Sequence, residues 1–112
     1  MENKDLGSSS LGLTPNIAAL LSYLFGVITG IIFFVLEKQN KFVRFHAMQS
    51  IVVFGFLFVL DAVLMLIPVI GWALMPIVWV VSVILWIILM IKAYQGEYFK
   101  LPIAGDIAEK NS

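Results

Sequence analysis

The sequence predicts an all-α integral membrane protein with three transmembrane helices. Three observations carry that expectation. Hydrophobic residues make up 62% of the 112 residues and charged residues only 12%, where a soluble domain carries about 25% charged. Mean hydropathy is +1.04. A soluble body this small has too much exterior to hide so much apolar surface, whereas lipid as solvent removes the difficulty. The apolar residues also fall into three runs, about 17–36, 47–67 and 72–91, each long enough for a helix to cross about 30 Å of hydrocarbon.

Residues 1–13 carry mixed charge and a Gly-Ser-Ser-Ser stretch, and read as a flexible tail with no cleaved leader. Residues 14–100 read as the membrane domain. Thr14 and Pro15 start its first helix, Thr14 as cap and Pro15 at the first helical position. Ser22, Gly26 and Gly30 recur at four-residue spacing with Ala18. That stripe lets a neighbouring backbone approach, so these residues are expected to pack helix on helix.

The polar turn 37–41 follows, and the second span begins at Ala47 or nearer Phe42. Its aromatic start suits a membrane interface, and Arg44 can extend its head into water. Pro68 to Gly71 form a second turn without charge. It makes the second and third spans an antiparallel hairpin. Pro76 requires the third helix to begin late or to bend. Tyr94, Tyr98 and Phe99 with Lys92 and Lys100 form an interfacial belt. Residues 101–112 read as a cytoplasmic tail that lies along the surface.

Lys38, Lys41 and Arg44 flank the first turn, and Lys92 and Lys100 follow the last span. Only Lys4 lies on the other side of a three-span arrangement. Cytoplasmic loops collect lysine and arginine, so the expectation is an N-terminus outside and a cytoplasmic C-terminus.

The candidate functional residues are few. Asp61 is the only acidic residue within a span, where an ionised carboxylate is costly. It should face protein or water, or hold a proton. With Ser50 and Phe54 it shares one helix face. Such a carboxyl suits a proton or ion relay, a packing hydrogen bond, or a tolerated group reaching the nearby boundary. His46 and Gln49 share a face close to Arg44. They suit a lipid phosphate or a partner's carboxylate, or a polar collar that sets helix depth. Trp72, Trp79 and Trp86, seven apart, form a stripe for packing, lipid contact or ligand stacking.

One histidine and no cysteine supply too few ligands for a metal. No cofactor fingerprint and no catalytic site are expected. His46 and Asp61 are fifteen residues apart, about 22 Å along a helix, too far to act as an acid–base pair. The formal net charge of +0 gives no electrostatic footprint for nucleic acid. Three thin helices enclose almost no interior, which points to a homo-oligomer or a subunit among other membrane proteins. The competing reading is a channel, relay or protein-translocation component.

The stretches from Asn16 to Tyr23, Asn40 to Ser50, Ile67 to Trp72 and Lys92 to Pro102 together resemble a family of small bacterial and archaeal membrane proteins. That family is described as similar to the twenty-kilodalton component of the chloroplast inner-envelope protein translocon. The core of the match is Arg44-Phe45-His46-Ala47, then Gln49-Ser50. The resemblance implies a multi-pass protein of the cytoplasmic membrane without assigned chemistry, whose signature residues here are Arg44, His46, Gln49 and Ser50.

Overall fold

A computed structural model of the chain describes residue 7 and residues 12–112. Most of the expected flexible tail therefore lies outside the described residues. Five helices follow in order: α1 (Pro15–Leu24), α2 (Val27–Leu36), α3 (Lys41–Met65), α4 (Ile70–Tyr94) and α5 (Ala104–Lys110). Two of them, α3 and α4, are long and apolar enough to cross a membrane.

The first apolar run departs from expectation. It is not one rod but two ten-residue helices broken at Phe25 and Gly26. Gly26 has φ +61°, a conformation that side chains with a Cβ rarely adopt. The two halves fold back on each other like a V. Asn16 Nδ2 at the start of α1 donates to the Tyr94 carbonyl at the end of α4, 3.2 Å. Trp86, two turns back along α4, donates to the Tyr23 carbonyl at 2.8 Å. So α1 climbs from the Tyr94 end toward the middle of the hairpin. Gly26, at the tip, sits against Phe54 of α3. From there α2 descends along α3, with Gly30 beside Ala47 and Ser50 and Phe34 beside Arg44. At about 1.5 Å per residue each arm is only about 15 Å long. Where three spans are expected, the structure has two helices long enough to cross a membrane and one bent pair of ten-residue helices. The start of α1, the 37–40 connector and the end of α4 all lie at one end.

The tip survives in an apolar setting because its backbone groups are satisfied by side chains. Irregular backbone at membrane depth is tolerated only where protein supplies the missing hydrogen bonds. Ser50 Oγ donates to the Gly26 carbonyl at 2.9 Å, and Thr29 Oγ1 donates to the Ser22 carbonyl at 3.1 Å. The Phe25 amide donates to Thr29 Oγ1 at 3.0 Å.

The connector starts α3 early, at Lys41, because Asn40 caps it: Oδ1 accepts from the Val43 amide at 3.0 Å. Buried Glu37 accepts from the amides of Gln39 and Asn40. At the far end the α3–α4 turn is tight. A Cβ on Gly71 would strike the Leu64 carbonyl, so glycine is there for close approach. Val69 reaches φ 69°, strained for a β-branched residue. Helix α4 starts at Ile70 and continues through Pro76, so it does not begin late.

After α4 the chain turns at Gly96 and runs back along α3. Within the expected surface tail, helix α5 packs on α3. Its small residues Ala104, Gly105 and Ala108 are buried, while Asp106, Glu109 and Lys110 are exposed. Burial is concentrated at this end. Eight of the nine buried residues of α3 lie between Phe42 and Val53. Beyond them α3 and α4 run as a bare pair, with Phe56, Phe58, Trp72, Ile77 and Trp79 all exposed. Every lysine and arginine among the described residues, namely Lys38, Lys41, Arg44, Lys92, Lys100 and Lys110, belongs to the packed end.

Candidate functional site

Three buried polar side chains meet at the packed end. Tyr23 comes from α1, and His46 and Gln49 from adjacent turns of α3; all three are 0% exposed. Tyr23 Oη lies 2.6 Å from His46 Nδ1, and Gln49 Nε2 lies 3.0 Å from the same oxygen. The returning segment closes the cluster. His46 Nε2 is 2.8 Å from the Glu97 carbonyl, and Gln49 Nε2 is 2.8 Å from the Phe99 carbonyl. Gln49 Oε1 accepts from the Leu101 amide at 2.9 Å.

These partners fix where every proton sits. A carbonyl only accepts, so His46 Nε2 must carry hydrogen and donate to Glu97. In a neutral ring Nδ1 is then the acceptor, and the Tyr23 hydroxyl donates to it. Tyr23 Oη in turn accepts from Gln49, whose second N–H goes to Phe99. The chain of hydrogen bonds runs one way and leaves no site donor unused. Phe42, Phe45 and Tyr23 meet the imidazole edge-on, with centroids 4.6, 5.0 and 5.4 Å away. Tyr98 packs on both phenylalanines, and burial raises its phenol above the ordinary value.

Arg44 faces a different neighbourhood. Its Nη1 donates to the carbonyls of Phe34, at 2.9 Å, and Glu37, at 2.8 Å, closing the C-terminus of α2. Nε donates to the Ser112 carbonyl at 3.2 Å, and the guanidinium lies 4.1 Å from the Phe34 ring centroid. Ser50 serves the tip, as described above. Arg44, His46, Gln49 and Ser50 therefore each bridge α3 to another segment of the same chain.

The expected small-residue stripe does not form one face, because it is split over two helices. Gly30 meets α3 closely, with a Cβ position 3.0 Å from the Ala47 carbonyl oxygen. Gly26 is the break, and buried Ser22 donates to the Ala19 carbonyl within its own helix. The tryptophan stripe also divides. Trp86 holds α1, whereas Trp72 and Trp79 are exposed.

Asp61 stands apart, far up α3 from His46. Its Oδ1 is shielded and lacks a hydrogen-bond partner among the described residues. Sequence reading missed Tyr23 and the backbone of Glu97, Phe99 and Leu101. A tyrosine inside an apolar run was the one available signal, since a buried hydroxyl needs a partner.

The chain is similar to named membrane proteins of archaea. It is 58% identical over 107 residues to UPF0132 membrane protein MJ1443 of Methanocaldococcus jannaschii, covering 96% of each chain. It is 54% identical over 98 residues to a UPF0132 membrane protein of Archaeoglobus fulgidus, covering 88% of this chain and 95% of that one. A second Methanocaldococcus jannaschii protein, MJ1527, is 46% identical over 101 residues, covering 90% of this chain and 72% of its own. These names carry no assigned activity and no chloroplast link. No solved structure matches the chain. Residues 9–108 match the model of the magnetosome magnetite crystal formation family, MamF/MmsF. A membrane protein by its relatives and by its two long apolar helices, the chain belongs to that family.

Proposed function

We propose that the chain is a non-enzymatic, multi-pass protein of the cytoplasmic membrane that works as an assembly subunit, alone in a homo-oligomer or within a larger complex. In this reading α3 and α4 cross the bilayer, and α1–α2 dips into it and returns. The packed end, with its lysines and arginines, faces the cytoplasm.

One observation carries the non-enzymatic part. The side chains with chemical potential, Tyr23, His46 and Gln49, have their hydrogen-bonding groups engaged within the chain. A catalytic base needs a free valence facing a substrate, and this histidine has none. The subunit role is supported by the bare outer pair of helices and by the shielded, unpartnered oxygen of Asp61. A carboxyl in that position gains from a donor on a second membrane helix.

Topology and assembly are tested together. The sequence has no cysteine, so single cysteines report cleanly. Leu13→Cys, Gln39→Cys and Ser112→Cys should be shielded from an impermeant maleimide in intact cells, and Pro68→Cys should react. Reaction of Leu13→Cys alongside Pro68→Cys would restore three spans. In bilayer nanodiscs the assembly should contain more than one copy or a copurified partner, and a lone monomer would remove the subunit role.

A further inference from the structure

We propose that the chain is a membrane-curving wedge, with its broad half in the cytoplasmic leaflet. The inference rests on the two-span topology just described, with the basic end cytoplasmic. It goes beyond that topology by giving the protein an action on lipid.

The wedge follows from how unequally the chain fills the two leaflets. At the basic end α1, α2, α3 and α4 pack side by side, and residues 97–112 return along α3. At the opposite end only α3 and α4 remain. The whole is 49 Å long and 26 by 21 Å across. A helix is about 10 Å wide, so two additional helices add roughly 150 Å² to one leaflet only.

The extra helices lie in hydrocarbon rather than above it. Phe25 is 68% exposed and Ile28 67%, and Ile31, Ile32, Val35 and Leu36 are exposed beside them. That outward face has no charge, so lipid chains are its natural solvent. Helix α5 lays Ala104, Gly105 and Ala108 against the other side of α3 and so adds breadth to the same half.

A wedge bends a bilayer only if it is stiff. Here the half-depth pair is held at its tip by Ser50 on Gly26 and Trp86 on Tyr23, and at its open end by Arg44 on Phe34 and Glu37. It cannot swing out to cross the membrane without breaking all of these. Area added to one leaflet makes that leaflet convex. Copies in number therefore bend the membrane toward the cytoplasm.

The test uses the full chain with a dye on Gln39→Cys, reconstituted into phosphatidylcholine–phosphatidylglycerol vesicles of graded diameter. An impermeant quencher sorts molecules by orientation. Those with the basic end outward should be several-fold denser, per membrane area, on the smallest vesicles than on the largest. Those with the basic end inward should show the opposite trend. Density independent of diameter in both orientations would overturn the wedge while leaving the topology standing. Leu13→Cys and Pro68→Cys found on the same face would remove the topology and the wedge together.

Discussion

Replacing Tyr23 by phenylalanine removes one oxygen from the centre of the buried cluster and nothing else. The ring contacts with His46 and Phe54 remain. Two groups lose their partner: the Gln49 amide, 3.0 Å away, and His46 Nδ1, 2.6 Å away. A buried polar group left unpaired costs about 1–3 kcal/mol. Membrane proteins fall at the low end, near 0.6 kcal/mol per hydrogen bond on average, because their unfolded chains also find partners. Two such losses come to about 2 kcal/mol, a factor of about 30 in the unfolding equilibrium. Gln49→Leu is worse, at about 3 kcal/mol, since it orphans the Leu101 amide and the Phe99 carbonyl as well as the Tyr23 oxygen. The double variant should fall short of the sum by about 1 kcal/mol, because the Tyr23–Gln49 bond is lost only once. Unfolding equilibria in mixed detergent micelles give all three values. Hydrogen exchange adds a local check: the Leu101 amide should lose protection in Gln49→Leu far more than in Tyr23→Phe. Strict additivity, or a Tyr23→Phe cost below about 0.5 kcal/mol, would show that the hydroxyl is not bonded in this way.

Two further outcomes follow from the same packing. Gly30→Leu should push α2 off α3 and cost about 1–3 kcal/mol, because a Cβ there already lies 3.0 Å from the Ala47 oxygen and 3.1 Å from Ile51 Cγ1. Gly55→Ala is the control, since its nearest neighbour is 3.9 Å away; equal melting of the two variants would contradict the α2–α3 contact. Lys100 bonds Glu109 at 2.8 Å and Asp106 at 3.2 Å, and these partners raise its ammonium above the ordinary 10.5. A raised value means the contribution is complete below 10.5 and fades as pH climbs past the raised one. Exchange protection in α5 should therefore hold through neutrality and weaken only in strong alkali, and Lys100→Met should abolish that alkaline step.

The two long helices were legible because their lengths and polar borders are local properties. Lys41 and Tyr94 end their helices close to where charge and aromatic residues begin. Residues Arg44, His46, Gln49 and Ser50 were also legible as a group, since polar side chains in an apolar setting must be satisfied somewhere. Their partners were not legible. Seven of the eight are backbone carbonyls or amides of other segments, and no side-chain pattern marks a carbonyl. The cluster is thus readable from the sequence on the α3 side alone. The seven residues of α5 were beyond reach for a related reason. Their helix gains from small residues laid against α3, with a Cβ on Gly105 blocked by Lys100, rather than from any propensity of their own.

The bent pair α1–α2 is the instructive departure. An uncharged run of twenty residues is long enough to cross a bilayer, but length only permits crossing. Whether the run turns back depends on whether its broken backbone can be repaid in hydrogen bonds at the turn. Here Thr29 serves the Ser22 carbonyl, Ser50 serves Gly26 and Trp86 serves Tyr23. A glycine flanked at three or four residues by hydroxyls, opposite a serine on the next helix, is thus a different signal from a packing stripe. The charges favour the proposed pair of crossings. An odd number of crossings strands Lys4 on the far side, whereas an even number puts all seven lysines and arginines on one side. In the proposed topology the same asymmetry makes the chain broad at one end. The basic residues collect where the helices do, because the returning segments bring their polar ends back to the side they left.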